Sequence, residues 1–176
     1  AMRVGQLLGG RDATGAKLAA DINLYGSLFI SCSLALVLII MPHETLPRLF
    51  APDSIELIRD TSKVIPLLIF YIIGDGLSNA CDAVLKGCGR QILQMPIVFT
   101  SYWLVGLPLS YFLSFCQKWF PVGPTTLIIG TTTGTWLHAL LLGIVVAFFT
   151  DWDREVKKAT KRVSEESSQP VNYGSL

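Results

Sequence analysis

The sequence predicts an all-α integral membrane protein, and three observations carry that reading. Four long apolar stretches run through the chain, polar connections separate them, and charge is scarce. Of the 176 residues, 51% are hydrophobic and 15% are charged, against about 25% charged in an ordinary soluble domain. The stretches Ala20–Met41, Val64–Leu85, Met95–Cys116 and Thr126–Phe149 each reach the roughly 20 residues that a helix needs to cross a bilayer. Backbone groups in hydrocarbon find no water, so a span must be a helix or part of a closed barrel, and four isolated spans cannot close one. The first stretch is too long for a signal peptide and follows a mixed, charged segment.

The basic residues orient the spans. With connections on alternate sides, one side collects Arg3, Arg11, Lys17, Lys86, Arg90, Arg154, Lys157, Lys158, Lys161 and Arg162. The other holds Arg48, Arg59, Lys63 and Lys118. Lys and Arg concentrate in cytoplasmic loops, so both termini and the 86–94 loop are expected in the cytoplasm. The 42–63 and 117–124 loops then face outward or into a lumen.

Residues 1–19 read as the end of a preceding helix and a glycine-rich cytoplasmic loop, so the sequence is expected to be a fragment. Gly9 and Gly10 suit a left-handed helix terminus, and Asp12 or Thr14 suits the cap of the next helix. Gly10, Gly15 and Lys17 do not follow the order of a phosphate-binding loop, and no strand precedes them. In the outer connection a short helix is expected from Ser54, capped by Asp53 or Ser54. His43 there has no second metal ligand nearby.

The second span holds the most informative residue, Asp75. It lies 12 positions after Lys63 and 11 before Lys86, about 16–18 Å from either charged boundary. A carboxylate near the bilayer midplane costs on the order of 2.5–3.5 kcal/mol on translocon scales. That cost points to binding or proton relay; the bland alternative is an Asp held neutral against a neighbouring helix. Tyr71, Asp75, Ser78 and Asp82 fall within about 60° of one another on a helix, with Asn79 beside them. Asp82 stands at i,i+4 spacing from Lys86, which predicts a structural ion pair. Pro66, Gly74 and Gly76 predict a span that is easily broken, a recurring device of transporter sites.

The third span carries Gly106 and Pro108, where a bend is expected. Its Tyr102, Trp103 and Tyr111 serve packing or interfacial anchoring, with a cation–π path as the alternative. In the fourth span Gly130 and Gly134 have the spacing that lets helices approach closely, and Thr131–Thr135 are expected to bond back to their own helix. His138 reads as a hydrogen-bonded structural residue, with titration as its alternative. Cys32, Cys81, Cys88 and Cys116 show no metal-ligand spacing and read as small packing residues. In the cytoplasmic tail, residues 151–176, Trp152 suits an interface and Lys157, Lys158, Lys161 and Arg162 suit anionic lipid. A solvated amphipathic end is the alternative, and the last ten residues are expected to be disordered.

Three blocks carry a resemblance. RVGQLLGGRDATGAK resembles a loop of the multidrug and toxic compound extrusion (MATE) transporters. DGLSNACDAVLKGCGRQ resembles that family's acidic position followed by VLRGCGRQ, and YWLVGLPLSYFLSF resembles its YYVVGLPLG helix. The blocks stand in family order, at family spacing, in the style of eukaryotic members, and reach to about Phe149.

The resemblance implies part of a six-helix lobe, from the close of the eighth helix through the twelfth, of a twelve-helix transporter. Such proteins exchange organic cations or xenobiotics for protons, with sodium as the alternative coupling ion; no cofactor is implied. Asp75 matches the acid of the tenth helix that couples cations, and Tyr71 matches a tyrosine beside it. Several eukaryotic members carry Glu at that position, and His138 falls where Gln is common.

The expected cation- and substrate-binding set is therefore Asp75, Tyr71, Asn79 and Asp82. The expected partners are an organic cation or xenobiotic, membrane lipids and the missing N-terminal lobe, with no nucleic acid. The plasma membrane is the expected location, with vacuolar or vesicle membranes as alternatives. Two rival functions are a non-transporting membrane scaffold and a lipid-linked saccharide flippase. The flippase would want basic residues for pyrophosphate, and the four stretches contain no Lys or Arg. An enzyme is not expected, since no nucleophile–base pair or metal cluster stands at membrane depth.

Overall fold

A computed structural model describes residues 1–116 and 124–168. The described residues form helices and connections, with no strand among them. In chain order these are α1 (Met2–Gly9), α2 (Ala13–Ile40), α3 (Thr45–Phe50), α4 (Ile55–Ser62), α5 (Ile65–Gly87), α6 (Gln91–Cys116), α7 (Pro124–Phe148) and α8 (Trp152–Ser168). Four of them, α2, α5, α6 and α7, are long and apolar enough to cross a membrane. The connection holding Lys118 and residues 169–176 of the tail lie outside the described residues.

The spans pack side by side with α5 in the middle. α5 packs on both α2 and α7, and α6 packs on α7. At the Lys86 end, α1 and the tail helix α8 close over the bundle, and α3 packs with α4 near the opposite end. The buried apolar core concentrates under that closure. Val4, Leu8, Ala16, Ala20, Val84 and Cys88 form one cluster, flanked by Trp152, Val156 and Ala159, and Cys81, Leu85 and Leu142 form a second. Along α2, Phe29, Ile30, Ile39 and Ile40 face outward. An apolar face of that length suits lipid or another membrane helix.

Small residues set the helix spacing. A Cβ on Gly130 would stand 2.6 Å from the Gly106 carbonyl and 2.7 Å from the Ser110 amide nitrogen, and one on Gly134 would stand 2.9 Å from the Ser101 carbonyl. Both glycines of the small-xxx-small pair thus seat α6 on α7. Gly74 and Gly76 play a similar part. A Cβ on Gly74 would meet the Trp136 indole at 3.0 Å, and one on Gly76 would collide with the Ser31 hydroxyl of α2.

Several local expectations are corrected. The second span does not break: α5 runs without interruption from Ile65 to Gly87, because Pro66 falls in its first turn, where a missing N–H leaves no bond unmade. The disturbance at Gly106 and Pro108 takes the form of π-helical turns over Phe99–Gly106 and Phe112–Cys116, on either side of Leu107–Tyr111. A proline that cannot donate favours such a wider register.

After α1 the left-handed residue is Arg11 (φ 64°), while Gly10 keeps φ −78°. Asp12 does cap α2, its Oδ1 accepting from the Gly15 amide at 2.8 Å. Ser54 is the cap position of α4 without a side-chain bond, and α3 is an additional helix in the same connection.

Candidate functional site

The polar face of α5 is where the sequence-derived residues meet. Ser78 is buried, Tyr71, Asp75 and Asp82 are half-buried, and Asn79 is exposed. Asp75 has no ion-pair partner among the described residues. Its carboxylate Oδ2 accepts one hydrogen bond, from Asn79 Nδ2 at 2.9 Å. The Asp75 carbonyl accepts from Asn79 Nδ2 and from Ser78 Oγ, each at 2.9 Å. All three bonds come from residues three or four positions on, so α5 positions its own acid.

Two neighbouring helices complete the face. On α7, Trp136 donates from Nε1 to the Phe70 carbonyl at 3.2 Å and stacks on the Phe70 ring at 4.6 Å. This fixes the α5–α7 contact one turn before the acid. On α6, Tyr102 turns inward; its hydroxyl shares a 3.0 Å hydrogen bond with Thr135 Oγ1, and its ring meets His138 edge-on at 5.6 Å. Asp75 and Asp82 both lie within electrostatic reach of His138 and of Tyr102, and Tyr71 within that of Tyr102. Trp103 and Tyr111 of α6 point outward, so only Tyr102 of the three aromatic candidates belongs to this face.

Two expectations fail here. Asp82 makes no ion pair with Lys86 among the described residues. Lys86 is exposed, while Asp82 Oδ1 is buried without a hydrogen-bond partner. An exposed i,i+4 pair contributes only about 0.2–0.5 kcal/mol, too little to turn the carboxylate away from the packed side of α5. Gln94 instead closes on the backbone there, donating from Nε2 to the Asp82 carbonyl at 2.8 Å. His138 is only 5% exposed, yet neither ring nitrogen has a partner among the described residues, so it is not the hydrogen-bonded structural histidine that the sequence suggested.

A second charged cluster, at the Lys86 end, was not foreseen. Glu155 of α8 is 3% exposed and pairs with Lys158 at 2.8 Å and with Arg90 at 3.9 Å. Arg90 also donates to the Phe149 carbonyl at 2.9 Å, and Arg162 to the Cys88 carbonyl at 3.4 Å. Burial, and then the Glu155 charge, push the Cys88 thiol up to about 11. Gly89, at φ +68°, leaves the space the Arg162 guanidinium occupies. Trp152 packs into the core of this closure. The i,i+3 spacing of Glu155 and Lys158 was visible in the chain; its approach to Arg90, 65 positions earlier, was not.

Membrane-length helices, packed through glycine and carrying ionisable groups on the polar face of α5, define a polytopic membrane protein. The comparisons narrow that class. The MatE family model matches residues 1–112. Protein DETOXIFICATION 15 of Arabidopsis thaliana is 32% identical over 177 residues, covering 99% of this chain and 36% of the relative. Protein DETOXIFICATION 36 of the same plant is 28% identical over 171 residues, covering 97% and 33%. The crystal structure of the eukaryotic MATE transporter AtDTX14 superposes with a TM-score of 0.75 at 28% identity, over 92% of this chain and 35% of that one.

The chain belongs to the MatE family, whose members are membrane transporters. It spans about a third of the length of the relatives it matches.

Proposed function

We propose that this chain is part of a secondary exporter of organic cations or xenobiotics that exchanges them for protons by alternating access, with Asp75 as the coupling acid. A carboxylate at this depth is costly unless something compensates it. Among the described residues the Asp75 carboxylate is compensated only by Asn79 of its own helix, which leaves it open to an incoming cation or proton. That single observation carries the proposal. Proton and substrate compete for the same oxygens, so protonation releases the cation and deprotonation readmits it. Tyr71 and Asn79 would flank the bound cation, and Asp82 would add a second negative centre along the same face.

The rest of the transporter, including the N-terminal lobe implied by the resemblance, would supply the opposite wall. The proposed location is the plasma membrane, with the α8 end in the cytoplasm, as the distribution of basic residues favours. Efflux of a fluorescent organic cation from proteoliposomes, driven by an imposed pH gradient across the whole transporter, tests the reading. Asp75→Asn is expected to abolish pH-driven efflux while the protein still folds. Normal efflux by that variant would sink the proposal, and efflux that follows a sodium gradient instead would replace the proton as coupling ion.

A further inference from the structure

Seven residues beyond Asp75, on the same face of α5, stands Asp82, about 10 Å further toward the Lys86 end. Among the described residues its Oδ1 is buried without a partner, and so are Nδ1 and Nε2 of His138 on α7. An imidazole always presents a donor at one ring nitrogen or at both, and leaving both nitrogens unpaired in a buried site is costly. Asp82, which carries one such unpartnered oxygen, lies within electrostatic reach of this imidazole. The groups that face the imidazole are identifiable from every side: Asp75 and Asp82 from α5, and Tyr102 from α6, its hydroxyl committed to Thr135. Tyr71 lies beyond, toward Tyr102.

We propose that Asp82 and His138 form a second buried proton site, the two groups together holding one proton. Occupied, the pair is neutral overall; emptied, it carries one negative charge. The site deepens the coupling role proposed for Asp75, and that part of the inference rests on it. At about 10 Å and an effective dielectric of about 20, a unit charge changes the affinity for a bound cation by roughly 10- to 20-fold. Loss of the proton from the pair would therefore strengthen cation binding at Asp75, and its return would weaken it.

Two measurements on the purified whole transporter test this. Without any cation, infrared difference spectra between pH 5.5 and 8.5 are expected to carry coupled imidazole and carboxylate bands in the wild type. His138→Gln and Asp82→Asn should each lose them. Absence of those bands from the wild type overturns the site, and that result requires no folded variant. So does their survival in both variants.

Tetraphenylphosphonium affinity over the same pH range reads the coupling. The pH dependence of the wild type should exceed that of either variant by about tenfold, and equal curves overturn the link to Asp75. An Asp75→Asn protein that keeps the bands yet binds tetraphenylphosphonium like the wild type would sink the Asp75 reading and leave the second site standing.

Discussion

Glu155, almost fully buried, and Asp75, half-buried, are acids that the structure treats in opposite ways. Glu155, under the closure of α1 and α8, is almost fully buried and is met by Lys158 and Arg90. The carboxylate of Asp75, halfway along α5, receives one hydrogen bond among the described residues, from a neutral amide on its own helix. A buried charge with cationic partners holds elements together. A charge at membrane depth without them is available for a ligand. The same contrast separates Lys86, left exposed, from His138, buried with both nitrogens unpaired.

Substituting each acid is the sharpest way to break this comparison. Asp75→Asn should lower pH-driven cation efflux by on the order of a hundredfold per molecule, the upper range of measured couplings between sites. Glu155→Gln should leave efflux per folded molecule within about twofold, and lower stability by roughly 1–3 kcal/mol as the pairing at α8 is lost. Efflux assays beside thermal melts in detergent read both. Equal loss of efflux in the two variants would erase the distinction.

Gly130→Ala tests the frame that both regions share. Its Cβ would press on the backbone of Gly106 and Ser110, so a loss of about 1–3 kcal/mol is expected, again read as a lower melting temperature. A variant that melts like the wild type would mean that α6 shifts freely on α7.

The Cys88 thiol gives a smaller, pH-dependent signal from the closure. Burial and Glu155 raise it to about 11. Raising the value favours the neutral thiol, so at pH 8 only about one molecule in a thousand carries the reactive thiolate. Maleimide labelling of Cys88 should be slow at pH 8, quicken toward pH 11, and become faster in Glu155→Gln. The smallest effect belongs to Asp60, whose carboxyl Lys63 holds below its ordinary value in an exposed pair at 2.8 Å. Asp60→Asn should leave both efflux and melting temperature unchanged.

The chain made some of this visible in advance. Asp75 stood out because an ionised side chain interrupts an apolar run, and the cost of that placement does not depend on the neighbours. Gly130 and Gly134 were legible because close helix approach needs small residues at fixed spacing, and Asp12 because a cap bonds within three residues. Asp82 misled because its nearest charge in sequence is Lys86, while its surroundings in the bundle come from α6 and α7. Arg11 took the left-handed turn although two glycines precede it, since the turn must close where α1 and α2 pack.

The sequence by itself determined the four apolar spans and the polar face of α5. Each depends on transfer from water and on periodicity along one helix, which are local properties of the chain. Only the tertiary structure decided that Glu155 meets Arg90 while, among the described residues, Asp82 Oδ1 and both His138 nitrogens go without a partner. Pairing depends on distances between segments far apart in sequence, set by how glycine contacts and the closure of α1 and α8 draw the helices together.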